Sequence, residues 1–211
     1  MLHYDILDPE RKEILTKLVA FKTQFYLAGG TALALQIGHR DSLDFDFFSR
    51  EDIDTVKLFE QICEVFAGRE IVKTQEEKNT LSVNVGKMKF SFLTYPYELV
   101  DKLVEEESFN LASIMDIACM KLSAITSRST LKDYVDLYFI LKEYTLEELF
   151  NACKNKFPNL DLGLILKSLV YFEDIDEEPI NFKEGNHVSL EEVKQKLTDE
   201  VRRFLEKNIN S

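Results

Sequence analysis

The spacing of apolar residues divides the chain in two. Up to about residue 110, short strand-like runs alternate with helical stretches; from Leu111 onward only helical spacing survives. Asp8-Pro9 predicts a helix start, because Asp caps free amides and proline at the first helical position sacrifices no hydrogen bond. That helix is expected to run to about Phe21. "FYLA" (25–28) reads as a short strand, Gly29-Gly30 turns the chain into a short helix over "TALALQIG", and "SLDFDFF" alternates as a strand. In that alternation Leu43, Phe45 and Phe47 face the core. A helix from about Ile53 to Phe66 places Val56, Phe59, Ile62, Cys63 and Phe66 on one face, and Gly68 ends it.

Three strand-like segments follow: "EIVKTQ", "TLSVNVG" and "KMKFSFLTYP". The last two are joined around Gly86-Lys87 as a hairpin. Helices are then expected over about 112–128, 131–143, 146–157, 160–172 and 190–207, with 173–188 as a flexible connection. Thr145-Leu-Glu-Glu148 and Ser189-Leu-Glu-Glu192 each fit a capping box. The expected fold class is mixed α+β: a small mixed sheet with flanking helices over 1–108, then a C-terminal helical bundle over 109–211.

Composition narrows the class. With 211 residues, 45% hydrophobic and 30% charged, the chain suits a globular protein with a sizeable core. No apolar run reaches the roughly 18 residues of a membrane span. The first residues lack a basic and apolar export signal, so a cytoplasmic address is expected. Cys63, Cys119 and Cys153 are odd in number and widely spaced, which suits buried thiols in a reducing compartment. His3, His39 and His187 form no Cys/His cluster. A net charge of −12 argues against a broad nucleic-acid binder but leaves room for local recognition of a nucleotide or an RNA end. The acidic runs at 105–107 and 173–178 read as solvated surface.

Against this background "LAGGTALALQIGHRDSLDFDFF" stands out. Asp44 and Asp46 share a face at i, i+2, and adjacent carboxylates repel unless a cation lies between them. Mg²⁺ suits such a pair; on spacing alone, so do two exposed acids on an edge strand. Gly29-Gly30 and Thr31 at a strand-to-helix turn make an anion cradle or simply a tight turn. Further on, Lys121 and Arg128 recur on one predicted helical face. Lys121 suits either phosphate charge or a stem lying along the core with its head in water. Asp133 and Asp136 share another face, with Lys132 and Asp136 spaced for a surface pair.

The first block resembles the glycine-turn and Asp-x-Asp signature of the DNA polymerase β-type nucleotidyltransferase superfamily; thirteen residues separate Gly30 from Asp44. More specifically, GGTAL with Arg40-Asp-Ser42-Leu-Asp44-Phe-Asp46, and later "DIACMKLSAITSRSTLKDYVDLYFIL" (116–141), resemble the AbiEii/AbiGii toxin nucleotidyltransferases. The resemblance spans roughly 24–150. It implies an NTP-dependent, Mg²⁺-dependent (or Mn²⁺-dependent) nucleotidyltransferase with Asp44, Asp46, Lys121 and Asp133 as catalytic residues. Gly29, Gly30, Thr31, Arg40, Ser42, Lys121 and Arg128 would bind nucleotide, with metal on Asp44 and Asp46 and Asp136 behind them. A tRNA or other RNA acceptor and an antitoxin partner are implied as well. The superfamily's third carboxylate aligns with Ser91, which carries no charge. The alternatives are a small-molecule acceptor, or a module of the same fold that binds without turnover.

Overall fold

The structure, a computed structural model, describes residues 1–176 and 178–209. The chain divides into two units, Met1–Ser113 and Ile114–Ser211.

The first unit is built on one sheet. Its strands are β1 (Tyr26–Ala28), β2 (Phe45–Ser49), β3 (Ile71–Glu77), β4 (Thr80–Val85), β5 (Met88–Thr94), β6 (Val104–Glu105) and β7 (Asn110–Leu111). Among the described residues they lie in the order β3-β4-β5-β2-β1-β7-β6. The β2/β5 and β1/β7 pairs are parallel and the others antiparallel, so the sheet is mixed, as expected. The hairpin at Gly86-Lys87 forms with Val85 opposite Met88, and Gly86 takes a left-handed φ of 60°. The strands β6 and β7 were not anticipated. Two residues each are too short to show a period, and pairing carries the sheet past residue 108 to Leu111.

The helices of this unit are α1 (Pro9–Lys17), α2 (Gly29–Ile37) and α3 (Thr55–Val65). The Asp8 carboxylate caps α1, accepting from the Arg11 amide at 2.8 Å. One sheet face is an aromatic core: Phe45 and Phe47 of β2 and Phe90 and Phe92 of β5 pack with Phe21, Phe25 and Phe66. The Phe47 and Phe92 rings stack with centroids 4.7 Å apart. Burying such rings supplies most of the driving force for closing the sheet onto its helices. Two sequence expectations fail here. Leu43 is exposed, because β2 begins only at Phe45; α3 buries Leu58 and Ile62 and leaves Val56 exposed, the apolar face being rotated by part of a turn.

The second unit holds α4 (Ile114–Ala124), α5 (Leu131–Ile140), α6 (Leu146–Lys156), α7 (Leu162–Leu169) and α8 (Leu190–Ile209). Both capping boxes form: the Glu148 and Ser189/Glu192 side chains close them reciprocally with the helix-start amides. The segment 173–188, expected to be a flexible connection, is tied to the rest of the unit. The Asp176 amide donates to Ser129 O at 2.8 Å, and the Leu131 amide donates to Asp176 O at 3.2 Å; Glu177 lies outside the described residues. Cys119 and Cys153 are buried and Cys63 is half-buried. No helix among the described residues is long and apolar enough to cross a membrane.

A fully buried ion pair joins α4 to α6: Lys156 Nζ donates to Asp116 Oδ1 at 2.7 Å, and neither side chain is exposed. Removing one member strands the other charge away from water. Lys156→Met alone is expected to cost about 3–5 kcal/mol, whereas Lys156→Met with Asp116→Leu returns most of that loss. Urea unfolding of the three proteins measures both numbers.

Candidate active site

The site in the first unit is assembled where β1 gives way to α2. Ala28 pairs with Asp46 across the β1/β2 ladder, and the next residue, Gly29, leaves the sheet with φ +71°. A side chain at Gly29 would place its Cβ 2.7 Å from Asp46 Oδ2. Glycine is needed here twice, for the left-handed backbone and for the carboxylate pressed against it. At Gly30 a Cβ would lie 2.7 Å from Arg40 Nη2 and 3.2 Å from Ser42 Oγ. The glycine pair thus admits a carboxylate on one side and a guanidinium on the other.

Around this turn the loop 38–44 is held by polar contacts. The Thr31 and Ser42 hydroxyls are 2.8 Å apart, and the Thr31 hydroxyl also donates to the Asp44 carbonyl. Arg40 is buried and donates through Nη1 to Asp41 O at 3.0 Å. This arrangement explains a departure from the sequence reading. β1 stops at the glycine turn, so Asp44 has no strand beside it there, and its carbonyl bonds to Thr31 of α2 instead of a ladder partner. Asp44 therefore sits just before β2, exposed, while Asp46 lies within the strand, half-buried.

The parallel β2/β5 register sets Asp46 directly beside Ser91, and the β4/β5 register sets Ser91 beside Ser82. Paired residues share a face. Next to the Asp46 carboxylate the sheet thus presents two buried serine hydroxyls. Ser82 carries no signal in the sequence, because only the pairing of strands reveals it. Among the described residues no group of three or more His, Cys, Asp or Glu side chains is arranged to hold a metal. The exposed Asp44 and half-buried Asp46 supply carboxylate oxygens, the donor type that suits Mg²⁺, which keeps several waters and takes few protein ligands.

In the second unit, the sequence-selected cations and acids form a cluster between α4 and α5. Lys121 Nζ lies 2.7 Å from Asp133 Oδ1 and 2.5 Å from Asp136 Oδ2. Arg128 grips Asp133 in a fork, Nε to Oδ2 at 2.7 Å and Nη2 to Oδ1 at 3.2 Å. Two points of the sequence reading change. Asp136 is fully buried against Lys121, and Lys132 pairs with Glu178 instead. α4 ends at Ala124, so Arg128 reaches Asp133 from the turn that follows the helix. Lys121 and both acids are buried, while the Arg128 side chain is 60% exposed. Two cations against two carboxylates leave the cluster neutral overall, which is what makes its burial tolerable. Gly29, Gly30, Thr31, Arg40, Ser42, Asp44 and Asp46 thus converge in one unit, and Lys121, Arg128, Asp133 and Asp136 in the other.

The chain is similar to known proteins. The family described as "Nucleotidyl transferase AbiEii toxin, Type IV TA system" matches residues 13–209. An uncharacterised protein of Aquifex aeolicus (strain VF5) is 38% identical over 208 residues, covering 95% of this chain and 98% of its own. Among solved structures, MenT4, a nucleotidyltransferase toxin of Mycobacterium tuberculosis, is similar with a TM-score of 0.61 at 13% identity, over 91% of this chain and 80% of that one. JHP933 from Helicobacter pylori is similar with a TM-score of 0.57 at 20% identity, over 100% of this chain and 97% of that one. The structural likenesses establish a nucleotidyltransferase fold; with a family match across nearly the whole length, this chain belongs to the AbiEii family of nucleotidyltransferase toxins.

Proposed function

We propose that the protein transfers a nucleoside monophosphate from an NTP to an RNA acceptor, with Mg²⁺ or Mn²⁺ held by Asp44 and Asp46. In this reading it acts in the cytoplasm as the toxin of a toxin–antitoxin pair. The observation that carries the reading is the approach of the Asp46 carboxylate to the Gly29 backbone at the start of α2. It sets an acid beside the amide end of a helix, where phosphate is favoured. When bound, the divalent ion neutralises phosphate charge and lowers the pKa of an attacking hydroxyl. The Gly29 and Gly30 amides hold the triphosphate, and Thr31 and Ser42, with the buried Arg40, fix the loop that supports them. By the family resemblance Lys121 and Arg128 of the second unit are assigned to phosphate charge, with Asp133 and Asp136 as counter-charges of Lys121. A small-molecule acceptor is the second reading, favoured by the net charge of −12, which disfavours long contacts with a polyanion.

Asp44→Asn with Asp46→Asn is expected to abolish Mg²⁺ and Mn²⁺ binding in calorimetry while leaving circular dichroism unchanged. Undiminished metal affinity in the folded double variant refutes the metal assignment.

Gly29→Ala tests the cradle. An alanine at this φ is strained by about 1–2 kcal/mol, and its methyl displaces the Asp46 carboxylate. The variant is expected to lose roughly 10- to 100-fold in metal affinity, the scale of disturbing a ligand's support. Calorimetry against Gly68→Ala, an open-space glycine that also has positive φ, separates strain from displacement.

Lys121→Ala is expected to lower turnover by roughly two to three powers of ten. It also leaves Asp133 and Asp136 buried without their ammonium, at a cost of about 3–5 kcal/mol. Lys121→Met combined with Asp133→Asn and Asp136→Asn should recover much of the stability and none of the turnover. Thermal unfolding beside steady-state nucleotidyl transfer tells a catalytic lysine from a purely structural one.

A further inference from the structure

The sheet face that carries Asp46 changes character along its strands. On β2, Phe48 follows Asp46 on the same side; on β5, Leu93 follows Ser91 in register with Phe48, and Tyr26 of β1 stands opposite Phe48. Tyr95, the next residue of that row, stays aligned because its amide donates to Ser49 O at 2.7 Å. The end beside the glycine turn is polar, with Asp46, Ser91 and Ser82; the other end is aromatic.

Four rings form a continuous row there. Tyr26 stacks on Phe48 with centroids 6.1 Å apart, Phe48 meets Tyr95 edge-on at 5.5 Å, and Tyr95 meets Tyr97 edge-on at 4.8 Å. Exposure rises along the row: Tyr26 is buried, Phe48 and Tyr95 are half-buried, and Tyr97 is 41% exposed. Packing of the sheet accounts for the two inner rings. Tyr97, set behind Pro96, carries the row outward to the exposed surface.

Direction relative to the chemistry gives the row a use. β1 and β2 are antiparallel with Ala28 opposite Asp46, so Gly29 lies to one side of Asp46 and Phe48 to the other. In an in-line transfer the leaving group and the attacking group stand on opposite sides of the reacting phosphorus. Pyrophosphate leaving at Gly29-Gly30 therefore places the acceptor on the aromatic side. The outer ring lies on the order of 15 Å along the face from Asp46, within reach of the last few nucleotides of a strand. Aromatic faces bind bases without needing cations, which suits a chain of net charge −12.

We propose that Phe48, Tyr95 and Tyr97 form a stacking platform for the terminal bases of a single-stranded RNA 3′ end, presenting its last ribose hydroxyl to the Asp44–Asp46 site. The inference rests on the nucleotidyl-transfer reading of that site. In the step it serves, the hydroxyl oxygen bonds to the α-phosphorus of the NTP as the bond to the β-bridging oxygen breaks. Pyrophosphate departs and the hydroxyl proton passes to water.

The probe is a short single-stranded oligoribonucleotide with 2-aminopurine next to its 3′ end, whose fluorescence is quenched by stacking. Tyr97→Ala, at an exposed position that leaves folding intact, is expected to weaken its binding about tenfold or more, and Tyr97→Trp to retain it. Affinity should depend only shallowly on salt, since few phosphates are neutralised. In nucleotidyl transfer the KM for RNA should rise in Tyr97→Ala while the KM for NTP stays within about twofold. Equal RNA affinity in wild type and Tyr97→Ala, no binding of the probe, or a steep salt dependence each overturns the platform. A rise confined to the KM for NTP does so too, by giving the rings to the incoming nucleotide. Metal binding by the Asp44→Asn/Asp46→Asn protein is read separately, so failure of the platform and failure of the transfer reading are distinguishable.

Discussion

The close approach of the Gly29 backbone to the Asp46 carboxylate constrains everything around it in the first unit. It requires β1 to end where it does, α2 to begin with two residues that lack side chains, and β2 to run antiparallel with Asp46 opposite Ala28. Because β1 ends there, Asp44 has no partner on the β1 side and is held through its carbonyl by Thr31. The loop 38–44 is then pinned from two directions, by the Thr31–Ser42 hydroxyl pair and by the buried Arg40 lying against Gly30. A single backbone constraint thus fixes two carboxylates, a hydroxyl pair and a guanidinium without committing any of them to a core role.

The two sheet faces divide the work. One face spends its rings on burial: Phe45, Phe47, Phe90 and Phe92 pack into a layer that supplies the unit's cohesion. The other carries a polar end and an aromatic end on the same strands, separated by the two-residue period. A strand that must be oily on one side is free to be chemical on the other, which is how one five-residue strand, Phe45–Ser49, serves both.

The helical unit is organised by charge as well as by apolar packing. Asp116–Lys156 pins α4 to α6, and Lys121 with Asp133 and Asp136 pins α4 to α5. Buried pairs of this kind contribute little net stability compared with apolar substitutes, but losing one partner is costly. Lys121 therefore carries a structural duty in addition to the proposed catalytic one, and the two are separable only when the charges are removed together.

The sequence by itself determined most elements and the identity of the chemistry. Period-2 and helical spacing marked the main strands and helices, the capping boxes at Thr145 and Ser189 marked two helix starts, and the glycine pair with Asp44 and Asp46 marked the candidate site. These signals are local, so a one-dimensional reading captures them. It did not reveal β6 and β7, whose two residues each become strands only by pairing, nor the rotated face of α3. Lys132 and Asp136 were spaced as a surface pair, yet burial turned Asp136 to Lys121 and left Lys132 to Glu178. Ser82 beside Ser91, Lys156 against Asp116, and the row from Tyr26 to Tyr97 join residues far apart in the chain. Such neighbours exist only once strands pair and helices pack, because register and burial are properties of the assembled chain and not of any segment within it.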